Sequence, residues 1–224
     1  ITTLFSLRFS ASRLAMPKYT LYYFNLRARG EVPRQLFALA GEPYEDVRIE
    51  FDDWFSHLKP NGVMPFDALP VLEVDGVKIA QSHAIIRYLA RKFGFAGKSV
   101  FDQALVDSLM DEYEDFFLHI RPFMRTMINF DNKDLESELR DVVKPARNEF
   151  FKKMTNILKG NSSGFLVGHS VTSADLVLAE HVATMKAFDP FYTKDFPEIQ
   201  DHFAKVRAIP NLAKWIQERP ETVI

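Results

Sequence analysis

YYFNLRARGEVPRQLFALAG, residues 22–41, decides how the rest of the chain is read. Its first residues are aromatic and apolar, as a strand prefers, and KYTLYYF (18–24) completes that strand upstream. Its second half places Val32, Leu36, Leu39 and Ala40 on helical spacing before Gly41 closes it. Between the two lies a short turn crowded with Arg27 and Arg29. The reading is a strand, a turn and a helix, with two tyrosines and several arginines where they meet.

Working outward, PYEDVRIEF (43–51) supplies a second strand with Val47 and Ile49 alternating, and DDWFSHLKPNGVMPFDA (52–68) reads as irregular, interrupted by Pro60, Asn61-Gly62 and Pro65. LPVLEVDGVKIA (69–80) gives two short strands around Asp75-Gly76, a dipeptide suited to the positive φ of a two-residue hairpin. Gln81-Ser82 stands where a helix N-cap belongs. HAIIRYLARKFG (83–94) then carries Ile85, Ile86 and Leu89 on one face, basic residues at its end and Gly94 as its stop. From about Ser99 the pattern is helical only, in ALVDSLMDEYEDFF (104–117), LRDVVKPARNEFFKKMTNIL (139–158) and ADLVLAEHVATMKAF (174–188). Thr172 and Asp175 form a capping-box pattern with Val171 and Leu176 as its staple, a folding device rather than chemistry. The expected organisation is an extension over 1–16, an α/β domain over 17–94 and an all-helical domain over 99–224.

Composition limits the chemistry. At 224 residues with 47% hydrophobic content the chain can bury a substantial core, and 28 basic against 30 acidic residues leave a net charge of -2. No basic block suggests nucleic acid or an anionic membrane, and no apolar run approaches a membrane span. The absence of cysteine excludes disulfides, thiolate metal sites and a cysteine nucleophile, so any thiol chemistry must use a borrowed thiol. The first 16 residues contain Ser, Thr and Arg but no long apolar core, so they are not an intact signal peptide. The Asn161-Ser162-Ser163 sequon in a Gly- and Ser-rich loop, on a chain that starts at Ile, leads to an expectation of export and of glycosylation at Asn161; cytoplasmic residence is the alternative.

In order and spacing, YFNLRARGE, LPVLEVDG, QSHAIIRYLA and GHSVTSAD resemble the cytosolic glutathione transferases, from Met16 nearly to the C-terminus. The YFN-Arg-x-Arg opening and Asp53-Trp54 look most like the sigma class, which includes haematopoietic-type prostaglandin D synthases and nematode transferases. The resemblance implies a thioredoxin-like N-terminal domain of βαβαββα type and an all-helical C-terminal domain. It implies that Tyr23 is catalytic, its hydroxyl favouring the thiolate of glutathione, while Tyr22 points to the other face. Arg29 would place positive charge near the sulfur. Ala28 and Gly30 stand where the family usually has Gly and Ala.

Further implied contacts with glutathione are the backbone of Leu69 before a cis Pro70, the helix N-terminus at Gln81 and Ser82, Trp54 at the glycine end and Lys59 or His57 beside it. Asp115 would reach into the site of a second subunit of a homodimer. Asp111, Glu114 and Asp115 match positions that surround Mg²⁺ or Ca²⁺ between subunits in prostaglandin-synthase-like members, with Glu114 lengthening one arm. Phe24, Leu118, Phe123 and Met124 are the candidate walls of an apolar electrophile site. The implied activity is conjugation of glutathione to electrophiles, with isomerisation of prostaglandin H2 to D2 as a further hypothesis. A non-catalytic ligand-binding or structural protein on the same fold is the alternative.

Overall fold

The computed structural model describes residues 17–127 and 134–222. The extension expected over residues 1–16 lies outside the described residues. β1 (Tyr19–Phe24) runs through the arginine turn into α1 (Ala28–Ala40), which ends on Gly41 in the left-handed conformation. β2 (Glu45–Ile49), β3 (Val71–Val74) and β4 (Val77–Ala80) complete a sheet of order β2-β1-β3-β4, with β2 parallel to β1 and the others antiparallel. Asp75 and Gly76 have φ of 50° and 86°, the pair of positive values a tight hairpin needs.

Alternation along β1 separates its side chains. Tyr19 and Leu21 point into the core beneath α1 and α3 (Ser82–Phe93), and Tyr23 packs on the same side against α1. Tyr22 and Phe24 point the other way, into a smaller cluster around Ile49, Trp54, Met64 and Val71. The stretch expected to be irregular is partly helical: α2 (Phe51–Asp53) continues through a wider helical turn, Trp54–Leu58, and a single tight turn follows at Pro65–Asp67. Phe51, Trp54 and Leu58 are three and four residues apart, which puts them on one face of that short coil against the sheet.

The helical half comprises α4 (Val100–Met127), α5 (Leu135–Glu138) leading through Leu139–Val143 into α6 (Lys144–Gly160), α7 (Ser173–Lys186), α8 (Pro197–Arg207) and α9 (Pro210–Glu218). α8 and α9 lie in the stretch expected to be helical but carry no long apolar stripe that marks them in the sequence. Each opens on proline and buries few residues, chiefly Ile199, His202 and Val206 in one and Leu212 in the other. At the start of α7, Asp175 is wholly buried and accepts from the Thr172 N–H (2.7 Å), the Thr172 hydroxyl (2.8 Å) and the Leu166 N–H (2.8 Å), with His202 at 2.9 Å. It organises the loop before α7, as its pattern suggested. One apolar core runs through both halves, joining Leu36, Phe37, Leu72, Ile85 and Leu89 to Val106, Met110, Ile120, Leu178 and Val182. Among the described residues, no helix is long and apolar enough to cross a membrane.

Candidate active site

The turn after β1 is held tightly from beneath. Arg34, a wholly buried residue of α1, donates to the carbonyls of Leu26 (2.7 Å) and Phe24 (3.3 Å), and its Nε divides between the two carboxylate oxygens of Asp46. Ala28 follows at φ 30°, a strained value for a residue with a Cβ. At Gly30 an added Cβ would lie 2.3 Å from Cδ1 of Tyr23, so this glycine gives the tyrosine ring its place. Arg34 was not identified from sequence; a lone arginine in a helix reads as surface, and only its burial reveals its task.

Tyr23 reaches the N-terminus of α1, where its hydroxyl oxygen accepts the Arg29 N–H at 3.3 Å. Burial pushes its acidity down, against the opposing pull of that N–H and of the Arg29 and Arg34 charges, so the hydroxyl keeps its proton. A protonated phenol beside a cation is a donor for an anion. Arg29 is the hub of the site: its guanidinium donates to Ser82 Oγ (3.2 Å) and to Glu114 Oε1 (2.8 Å), and lies over the Phe117 ring at 4.6 Å. His83 Nε2 is 3.6 Å from the other Glu114 oxygen, and burial lowers the histidine pKa, which favours the neutral ring. Ser82 is the first residue of α3, whose opening N–H groups lack helical partners, and Gln81 before it has φ 75°. The Leu69–Pro70 peptide is cis.

Beside Arg29 opens a cleft between α1, α3, α4 and α7. Its apolar walls include Val32, Ile86, Tyr113, Phe117, Met124 and Val177, and Glu114, Glu180 and His181 also reach it. Burial holds the Tyr113 hydroxyl well above its usual pKa and His181 down to about 3, so neither carries charge at neutral pH.

Of the four expected walls, only Met124 lines this cleft. Phe123 is buried in the core against Phe188, Leu118 is half exposed, and Phe24 stacks on Phe51 at 4.4 Å on the far face of β1. The reason is helical phase. Phe116, Ile120, Phe123 and Met127 form the buried stripe of α4, which leaves Tyr113, Phe117 and Met124, four and seven residues apart, on the cleft side. The sequence contains this second stripe, but nothing local says which stripe faces the cleft.

Trp54 is buried at 3% exposure in the cluster on the far face of the sheet, and Lys59 sits over the exposed Phe55 ring at 5.8 Å; both lie outside the cleft, as befits residues expected at the glycine end of glutathione rather than at the electrophile. Within one chain Asp111, Glu114 and Asp115 do not converge: Asp111 is paired with Arg87, Glu114 with Arg29, and Asp115 opens onto a separate groove with Glu112, His119 and Lys153. Among the described residues, no three acidic or histidine side chains converge as a metal site. At Asn161 the side-chain amide donates to the carbonyls of Phe165 (3.0 Å) and Gly168 (2.8 Å), so it shapes its own loop.

The chain is similar to known proteins along nearly its whole length. Residues 19–91 match the glutathione S-transferase N-terminal domain, and residues 118–219 match the C-terminal domain. The chain is 45% identical over 207 residues to probable glutathione S-transferase 5 of Caenorhabditis elegans, covering 92% of this chain and 99% of that one. Among solved structures, NaGST-2 superposes with a TM-score of 0.90 at 51% identity, covering 93% of this chain and all of that one. The monomeric Na-GST-3 of the hookworm Necator americanus gives 0.88 at 51%, covering 92% of this chain and all of that one. A rat hPGDS complexed with a quinoline is more distant, with 34% identity at a TM-score of 0.82 over 92% of this chain and all of that one. With both domains matched and relatives this similar along nearly their whole length, the chain belongs to the glutathione S-transferase family.

Proposed function

We propose that this protein joins the thiol of glutathione to small apolar electrophiles, with Tyr23 and Arg29 holding the sulfur as its thiolate at the mouth of the cleft. One observation carries the reading: a buried, proton-bearing tyrosine meets the backbone N–H of an arginine that lines an apolar cleft, in a chain that has no thiol of its own. A free thiol with pKa near ~8.5 is mostly protonated at neutral pH. A hydrogen bond from Tyr23 and the positive charge of Arg29 favour the thiolate, and the released proton passes to solvent. The sulfur then forms its bond to the electrophilic carbon, and a leaving group departs with the electron pair. The γ-glutamyl carboxylate fits the opening N–H groups of α3 beside Ser82 and Gln81, and the backbone of Leu69 suits the cysteinyl unit. Glu114 orients Arg29.

The test is Tyr23→Phe, which removes one hydroxyl. Glutathione is expected to bind still, the bound thiol pKa to rise, and turnover of a chloro-nitro-aromatic electrophile to fall by at least ~10-fold. A larger effect of Tyr22→Phe would contradict the assignment, because Tyr22 lies on the opposite face of β1. Undetectable turnover in the unaltered protein, with glutathione binding intact, would favour the non-catalytic alternative.

Within the family, the greater identity to nematode transferases than to the rat hPGDS supports a nematode-type conjugating enzyme, and the sigma assignment rests on the YFN-Arg-x-Arg opening and Asp53-Trp54. Prostaglandin H2 isomerisation keeps weaker support, from the fold likeness to the rat protein and the aromatic cleft wall. Glutathione-dependent D2 formation above the spontaneous rate is the observation it requires. Export rests on the Asn161 sequon, where a glycan on Nδ2 would replace one of two loop-forming hydrogens; a glycosidase-sensitive mass shift in protein from its native source tests it.

A further inference from the structure

Behind the cleft, α1 and α7 press two carboxylates together inside the protein. Glu31 is 1% exposed and Glu180 5%. Arg27 donates to Glu180 Oε1 at 3.1 Å, Gln35 donates to Glu180 Oε2 at 2.8 Å, and Arg207 lies 3.8 Å from that same oxygen. Arg219, just past α9, bridges both acids, and the Trp215 indole donates to Glu31 at 2.8 Å. Buried ion pairs of this kind are weak evidence for stability, since desolvation offsets most of their attraction. Their position points to another use. Arg27 immediately precedes Ala28 and Arg29, its carbonyl accepts the Gly30 N–H at 3.0 Å, and among the described residues its acidic partner is Glu180 alone.

We propose that Glu180, on α7 of the helical half, is a positioning residue: through Arg27 it clamps the strained turn that sets the Tyr23 hydroxyl and Arg29 against the cleft. Arg34 holds the first part of that turn by its carbonyls, from inside the α/β half. Glu180 holds the second part by its side chain from across the domain boundary, and also reaches the cleft where an electrophile would lie. The clamp is sensitive to protonation. Burial, with Glu31 opposite, raises the Glu180 carboxyl to about 7, against the pull of Arg219, Arg27 and Arg207; Tyr113 from α4 and the neighbouring His181 are neutral. Because this pKa is raised, the carboxyl holds its proton below neutrality and ionises above it. A charge-assisted bond to Arg27 is roughly twice as strong as a neutral one, so the grip tightens as pH rises through about 7.

The inference rests on Tyr23 and Arg29 being the thiolate-holding pair. Its test compares Glu180→Gln, Arg27→Met and Tyr23→Phe with the unaltered chain. The readouts are thiolate absorbance of bound glutathione, kcat and KM, and melting temperature, at about pH 6 and about pH 8.5. The kcat ratio of unaltered chain to Glu180→Gln is expected to grow about fivefold between these values, with the bound thiol pKa raised and the glutathione KM changed less than kcat. Arg27→Met, which keeps both acids, is expected to show the same trend and carries the test if Glu180→Gln does not fold. A ratio independent of pH, or a lower melting temperature with an unmoved thiol pKa, overturns the proposal while leaving a Tyr23→Phe loss, and hence the thiolate reading, intact. No loss in Tyr23→Phe removes both.

Discussion

Replacing Gly30 by alanine should disable the site without altering the chemistry of any group that meets substrate, by displacing one that does. The added Cβ would stand 2.3 Å from Cδ1, 2.7 Å from Cγ and 3.1 Å from Cβ of Tyr23. Carbon atoms rest no closer than about 3.5 Å, so the nearest contact is short by roughly 1.2 Å. Tyr23 is a buried residue of a sheet strand and Gly30 a buried residue of α1, so neither backbone can retreat freely. Overpacking of this kind costs about 1–3 kcal/mol, which for a chain of this size lowers the melting temperature by about 2–4 °C per kcal/mol. The functional effect is sharper. The Tyr23 hydroxyl already sits 3.3 Å from the Arg29 N–H, and a ring displaced by about 1 Å carries it out of hydrogen-bond range. Turnover of a chloro-nitro aromatic should fall by about tenfold or more, with the thiol pKa of bound glutathione raised, as in Tyr23→Phe. Combining Gly30→Ala with Ala28→Gly should restore part of the loss, because glycine at position 28 relieves the φ of 30° and lets the turn shift. Wild-type melting temperature and wild-type thiol pKa in Gly30→Ala would refute the packing argument.

Two further outcomes follow from the geometry. Phe117→Ala should raise the KM for apolar electrophiles several-fold and loosen Arg29, which lies over that ring, whereas Leu118→Ala should leave that KM where it was; the reverse order would mean that the cleft is not the electrophile site. We expect a homodimer through the α3–α4 face, where Arg87 and Arg91 meet Asp107 and Asp111 and where Asp115 is exposed. Sedimentation as a fully active monomer, the state named for the Necator relative, would exclude a site completed by a second copy.

What could be read from sequence alone was set by neighbours a few residues apart. The Asp75-Gly76 hairpin, the stops at Gly41 and Gly94 and the bond from Asp175 back to Thr172 depend on local backbone chemistry, and each stands where the sequence put it. The same holds for Tyr22 and Tyr23 on opposite faces, since alternation is a property of any strand. Tertiary structure decided what depends on distant partners. Arg29 takes Glu114 from 85 residues away, and Arg27 takes Glu180 from 153 away. Within the chain the acidic stripe of α4 is divided, Glu114 going to Arg29 and Asp111 to Arg87. On α4 two apolar stripes compete for the interior, and packing against α6 and α7 chose Phe116, Ile120 and Phe123 for the core, leaving Tyr113 and Phe117 to the cleft. A helix carries its periodicity in its own sequence, but its rotation about its axis belongs to the elements it touches, and that rotation determines which side chains form the site.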